Sequence, residues 1–303
     1  MKTLIICFSQ TGNTRKVAEY IRDGIKDEIE FCEITDLAGV DMKQLDQYDL
    51  VGLGCPVFYY KEPENVRSFI EELPDLNDKN WFLFCTHGSV MGVIFYTMKE
   101  SLEKKGIRVI GYHDTYADGT LPFYPHPTLT TGHPDDQDLQ EAQAFGKKVA
   151  QCGRAVSDGD TSCIEKPAPV PEEWVPGEAE MITNDFLLQV MPPLSINSET
   201  CVQCGDCQDA CPVNGIDIES DPPKIQDPCI CCFHCINVCP TCSIETDWAG
   251  YESLAPENYA RYLQALKDAE ARGEFRWLMD PETINFNDPY YKQRKRKLEN
   301  KKE

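Results

Sequence analysis

The chain has 303 residues, 41% of them hydrophobic, and 29 basic residues against 51 acidic ones give it a net charge of −22. That length suits two domains and buries enough core to fold without disulfides, while that charge repels nucleic acid. No apolar run is long enough for a membrane span, and the opening MKTLIICFSQTGNTR has no small-residue cleavage pattern, so it is not read as a signal peptide and a soluble cytoplasmic protein is expected.

Residues 1–152 alternate strand and helix signals. TLIICF (3–8) reads as a buried strand, followed by the polar turn Ser9–Thr14 and a helical pattern over 17–29. A short strand is expected at 30–34 and a buried one at YDLVGLGCPV (48–57), whose glycines and apolar run suit a parallel sheet. A proline starts a helix over 62–73, NWFLFCT (80–86) is the fourth strand, and a helix over 93–106 stops at glycine. IRVIGYH (107–113) is the fifth strand, and 136–152 is a closing helix. Five strands alternating with helices predict a doubly wound α/β domain with a five-stranded parallel sheet.

Pro167, Pro169, Pro171, Pro176, Pro192 and Pro193 mark 153–194 as an extended connector. A cysteine-rich domain is expected at 195–247, then a C-terminal extension, 248–303, with an amphipathic helix over 256–272. The last twelve residues, KQRKRKLENKKE, hold seven basic and two acidic residues and read as a solvated end or a segment docked on an acidic surface.

Of the 16 cysteines, six lie at irregular distances up to Cys163 and ten fall between Cys201 and Cys242. Residues 201–212 read CVQCGDCQDACP and residues 229–240 read CICCFHCINVCP, two copies of C-x2-C-x2-C-x3-C-P set 28 residues apart. Three closely spaced thiolates wrap one corner of an iron–sulfur cube while the fourth cysteine serves the other cube. Two [4Fe–4S] clusters follow, one on Cys201, Cys204, Cys207 and Cys239, the other on Cys229, Cys232, Cys235 and Cys211. Zinc, which takes two C-x2-C pairs at longer separation, fits less well. The leftover Cys231 and Cys242 read as small buried hydrophobes. Gly205 and Asp206 are expected to let backbone N–H groups reach the sulfurs. This segment resembles the bacterial two-cluster ferredoxins, a small α+β fold, as do Asn214, Gly215 and Ile216 after Pro212 and Cys242, Ser243 and Ile244 after Pro240.

In the first domain, Ser9-Gln10-Thr11-Gly12-Asn13-Thr14 joins a strand to a helix N-terminus and suits a phosphate, although helix capping by Thr11 or Asn13 is the simpler reading. Neither a Walker loop nor G-x-G-x-x-G is present. Gly54 to Tyr60 and Thr86-His87-Gly88-Ser89 follow the third and fourth strands, at the same sheet edge. One loop offers a phosphate cradle, one offers aromatic faces, and one offers glycine amides to a ring edge, which outlines a flavin mononucleotide (FMN) site. Residues 1–152 resemble a flavodoxin. The resemblance implies phosphate contacts from Ser9, Thr11, Gly12, Asn13 and Thr14, and ring contacts from Pro56, Val57, Phe58, Tyr59, Thr86, His87 and Gly88. Trp81, at a strand start, lies too early to flank the ring. Cys55 reads as a packed thiol, and the aromatic loop 118–127, with Tyr124 and His126, as a cover for the flavin or a contact for the cluster domain.

The whole chain resembles the flavodoxin–ferredoxin fusion proteins of anaerobic bacteria and archaea. That resemblance implies a low-potential electron carrier. Its donor would be a reductase or ferredoxin, and its acceptor a redox enzyme or a corrinoid protein needing reductive activation. The alternative is an FMN-dependent oxidoreductase acting on a quinone or nitro compound, with the clusters feeding the flavin.

Overall fold

A computed structural model describes residues 1–119, 121–170 and 181–300. Two compact units emerge. The first holds the residues up to Asp118 and those from Gly132 into the proline-rich stretch. The second holds Gly119–Thr131 and the residues after that stretch.

In the first unit, strands β1 (Lys2–Cys7), β2 (Phe31–Asp36), β3 (Leu50–Pro56), β4 (Asn80–His87) and β5 (Arg108–Tyr116) form one parallel sheet in the order β2-β1-β3-β4-β5. Helices α1 (Asn13–Lys26), α2 (Glu64–Glu72), α3 (Ile94–Glu103) and α4 (Asp136–Ser157) connect and flank it. Two apolar clusters lie on its faces. Ile6, Leu53, Leu83 and Trp81 pack with α2 and α3, while Ile5, Phe82 and Phe84 pack with α1 and α4. Burial on both faces is why β3 and β4 read as unbroken apolar runs. The α1–α4 crossing is close. A Cβ at Gly146 would lie 2.1 Å from the Ile21 carbonyl oxygen, and one at Gly24 would lie 1.9 Å from that of Gln143. Only glycine fits at either crossing point.

Several boundaries differ from those expected. Helix α1 starts at Asn13 rather than 17, because its first turn is polar and carries no apolar period. Strand β5 runs on to Tyr116. Helix α4 continues past 152 to Ser157, burying Gly153 and Val156, and stops before Gly159, whose φ is +92°. Cys152 and Cys163 form a disulfide that ties the chain after α4 back to that helix, so not every cysteine outside the repeat is a free thiol. Within the expected connector, α5 (Asn184–Val190) is helical, its Thr183 side chain accepting the Phe186 N–H. Pro171 and Pro176 lie outside the described residues.

His113 on β5 stacks on Phe145, with ring centroids 5.1 Å apart, and its Nε2 meets the Thr115 hydroxyl at 3.0 Å. Burial holds its pKa below the usual 6.5, against the pull of Asp114, Glu141 and Asp138. A histidine kept neutral by folding contributes stability that is full above about pH 6.5 and is lost as pH falls below it. The protection factors of amides in β4 and β5, which divide out the intrinsic pH dependence of exchange, are therefore expected to fall as pH drops below about 6.5, and His113→Gln is expected to flatten that dependence.

The second unit is assembled from short pieces. Strands β6 (Ser195–Ile196), β7 (Ile216–Asp217), β8 (Lys224–Ile225) and β9 (Ile244–Glu245) pair as β6-β9 and β7-β8. Helices α6 (Asp206–Asp209) and α7 (His234–Val238) follow the first cysteines of each motif. Helix α8 (Ala249–Ala271) begins earlier than 256, with Pro256 inside it and Trp248 as its N-cap. Near the C-terminal end, Pro289 starts α9 (Tyr290–Glu299). The tail's last residues, 301–303, lie outside the described residues. No described helix is long and apolar enough to cross a membrane.

Candidate functional site

Strand order reverses between β1 and β3, which makes their carboxyl ends the natural ligand crevice of this sheet. The loop after β1 reaches α1 through Gly12, which is its N-cap at φ +94° and supplies no side-chain cap. Thr11 and Asn13 therefore do not cap the helix, contrary to the simpler expectation. A Cβ at Gly12 would meet nothing within 4 Å, so space lies in front of the first-turn amides. That turn contains no acidic residue. Such a terminus attracts an anion through its N–H groups and dipole. Ser9 Oγ accepts the Arg15 N–H at 3.3 Å, and Asn13 Nδ2 donates to the Asp118 carbonyl at 3.3 Å. Thr14 is buried and its hydroxyl bonds that of Thr86, 2.7 Å away, which fastens the loop to the end of β4. The Arg15 side chain turns to Asp36, at 2.9 Å.

Pro56, Val57, Phe58 and Tyr59 are half-buried at the same edge. The Val57 N–H donates to Thr86 O, extending the ladder. Phe58 packs edge-on against Phe8, with centroids 6.3 Å apart. Tyr59 and Tyr60 both have positive φ, +50° and +70°, a strained turn for two aromatic residues. Gly88 leaves space, with nothing within 4 Å of an added Cβ. His87 is buried and both ring nitrogens are engaged, Nδ1 with Gly88 O and Nε2 with Asp114 Oδ2, each at 3.1 Å. Its ring faces Tyr116, with centroids 4.6 Å apart. Asp114 and Tyr116 were not anticipated, because β5 was ended three residues early. The open cradle at Gly12, the space at Gly88 and the anion-seeking helix end fit an FMN phosphate and ring edge. Trp81 is fully buried in the core, well away from any flanking role. Burial pushes the Cys55 thiol well above its usual pKa, as it does Cys85. Neither is a reactive thiolate.

In the second unit the repeat becomes a structural repeat. Gln203 and Cys231 share positive φ, as do Gly205 and Phe233, and Asn214 and Cys242, each pair 28 residues apart. Cys231 and Cys242 thus occupy left-handed turn positions equivalent to Gln203 and Asn214. Cys231 also hydrogen-bonds the Cys229 sulfur, holding the Cys229 thiol below its usual pKa. The Gly215 N–H donates to Cys211 Sγ and the Ser243 N–H to Cys239 Sγ, each at 3.2 Å. The amides of Cys207 and Gln208, just after Gly205 and Asp206, reach the Cys207 sulfur as well. Burial opposes ionisation of Cys239, but the Thr241 hydroxyl and the amides of Ser243, Thr241 and Ile244 carry its pKa below the usual value.

Cys201, Cys204, Cys207 and Cys239 line one cavity with Ile196 and Ile244. Burial raises the Cys235 thiol, helped by the nearby charges of Cys232, Cys229 and Cys211. The first of the two expected sets, Cys201, Cys204, Cys207 and Cys239, thus lines a common cavity. Among the described residues no three such side chains converge on one metal ion. Thiolates sharing a cavity, with backbone N–H groups aimed at the sulfurs, are the donor set an iron–sulfur cube takes.

A flavodoxin-domain family model matches residues 4–107 and a 4Fe–4S dicluster-domain model matches residues 193–240. The chain is 31% identical over 128 residues to a flavodoxin of Maridesulfovibrio salexigens, covering 36% of this chain and 82% of that one. It is 28% identical over 162 residues to a flavodoxin of Clostridium saccharobutylicum, covering 50% and 96%. A solved flavodoxin from the domain Archaea is 22% identical, covers 51% of this chain and 99% of its own, and superposes with a TM-score of 0.41. The chain belongs to the flavodoxin family, and a 4Fe–4S dicluster domain follows in the same polypeptide.

Proposed function

We propose that the protein is a low-potential carrier that passes electrons between FMN and two [4Fe–4S] clusters, to or from a partner redox protein. The observation that carries this reading is the paired architecture of the second unit, with two four-cysteine sets and matched N–H···S bonds, in one chain with a flavin-type crevice. We assign the flavin work to residues 1–152 and the cluster work to 195–247. When bound, FMN exchanges one or two electrons and each cluster exchanges one.

The chain's own residues prepare for this. The first-turn amides of α1, with Ser9, Thr11 and Asn13, hold the phosphate. Thr14 and Thr86 fasten that loop to β4. Pro56 to Tyr59 and Gly88 line the ring edge, and His87, anchored by Asp114, supports the Gly88 loop from behind. The eight cysteines ligate the iron, and Gly215 and Ser243 stabilise charge on the sulfurs. One polypeptide keeps the two redox units at high effective concentration. The net charge of −22 favours a partner with a basic face. A corrinoid protein needing reductive activation is one acceptor that fits.

The test starts from protein reduced by dithionite and desalted without oxygen. Mixed with cytochrome c, a basic acceptor, it is expected to deliver about four electrons per chain, at a rate that falls as salt rises. Sustained NADH-dependent turnover of menadione or nitrofurantoin with no protein partner would overturn the carrier reading in favour of an enzyme.

A further inference from the structure

Helix α9 lies outside both matched domains, yet it reaches the cluster lobe at one point. The Arg294 guanidinium donates through Nη2 to the Cys239 carbonyl at 2.7 Å and through Nη1 to that of Ile236. These carbonyls end α7, where no further helical turn satisfies them. Cys239 also lines the cavity shared with Cys201, Cys204 and Cys207. A permanent positive charge is thus fixed to the backbone of the residue whose sulfur faces that cavity.

Three of the other four cations of α9 are paired. Lys292 meets Glu252 at 2.6 Å, Lys295 meets Glu245 at 3.0 Å, and Arg296 meets Asp288 at 2.7 Å. Among the described residues no carboxylate pairs with Arg294. The symmetry-equivalent residue, Cys211, lacks this feature. Its carbonyl accepts the Asn214 N–H, as that of Cys239 accepts the Cys242 N–H, and no guanidinium is added among the described residues. The two halves match in turns, in helices and in one N–H···S bond each, and they differ in the Thr241 hydroxyl beside the Cys239 sulfur and in this charge.

We infer that Arg294 sets the potential of the cluster site formed by Cys201, Cys204, Cys207 and Cys239, making it easier to reduce than its symmetry mate. The inference rests on the two-cluster reading above. Reduction adds one electron to a cluster and breaks no bond. The more negative state gains most from a nearby fixed cation, so the cation raises the potential. Arg294 is a positioning and tuning residue, not a ligand.

The test is an anaerobic dithionite titration of the full chain, followed by electron paramagnetic resonance, after iron and sulfide have been counted. The wild type is expected to reduce in two separate one-electron waves. Arg294→Gln is expected to lower the upper wave by at least tenfold in reduction equilibrium, about 59 mV for one electron, with the lower wave unmoved. Lys295→Gln removes the same charge from the same helix and is expected to leave both waves in place. A single unsplit wave in the wild type, an unmoved upper wave in Arg294→Gln at full iron content, or an equal shift in Lys295→Gln would overturn the inference. Should Arg294→Gln lose iron, Arg294→Lys decides, because an upper wave held at the wild-type value supports the charge and one that drops to the lower wave contradicts it. Wild-type protein with no iron or sulfide would sink the two-cluster reading itself, which is a separate outcome.

Discussion

Cys204→Ala and Cys239→Ala are each expected to leave about four of eight irons per chain, and to leave the same four. Cys211→Ala is expected to leave the other four. The expectation rests on the proposed crossing of ligands between motifs. Cys239 stands at the end of the second motif yet lines the cavity of Cys201, Cys204 and Cys207. Cys211 ends the first motif and is expected to serve the site of Cys229, Cys232 and Cys235. The residual cluster's paramagnetic resonance spectrum reads the outcome. Matching spectra for the first two variants and a different one for the third support the crossed scheme. Matching spectra for Cys204→Ala and Cys211→Ala would mean that each motif binds its own cluster.

The second large effect is expected at Phe123, which reaches the second unit from a loop that lies between β5 and α4 in sequence. Its ring meets Trp248 at 5.0 Å, Tyr251 at 5.2 Å and Phe233 at 6.3 Å, and it is buried. Phe233 stands at φ +55°, where the first motif has Gly205, a backbone cost that surrounding packing must hold in place. Phe123→Ala removes that packing and is expected to cost about 3–5 kcal/mol in the second unit. Iron retention in urea measures it, with amide exchange in β1 to β4 as the unaffected control. Unchanged iron retention would contradict the membership of Gly119–Thr131 in the second unit. A chain cut down to the residues after 180 would lack this anchor as well.

The sheet was legible because its strands are buried on both faces, so apolar runs such as Trp81–Phe84 read directly. The dicluster domain was legible because its signature is local, four cysteines and a proline at fixed spacing. The start of α1 was not, since Asn13 to Lys16 make a helix through backbone geometry without an apolar stripe. Cys231 was read as a packed thiol and is buried, but the left-handed φ of Cys231 and Cys242 is something no hydrophobic pattern records. Phe123 and Arg294 were out of reach for another reason. Each acts on residues more than fifty positions away, and the basic run around Arg294 resembles any solvated tail. The signal that could have found Arg294 is the pair Tyr290–Tyr291 before it, aromatic anchors that a free tail does not need. Tyr291 donates its hydroxyl to Glu252, and the Tyr290 N–H bonds Tyr124 O at 2.8 Å.

The central claim is that one polypeptide holds a flavin and two cubane clusters as a single electron store. The most direct measurement is a count of iron, acid-labile sulfide and FMN on anaerobically purified protein, with the absorption spectrum followed through stepwise dithionite addition. About eight iron, eight sulfide and one FMN per chain, with about four electrons taken up, is the predicted result. Eight iron without flavin would contradict the flavin site and leave the first unit as a docking module, and zinc in place of iron would contradict the redox account altogether.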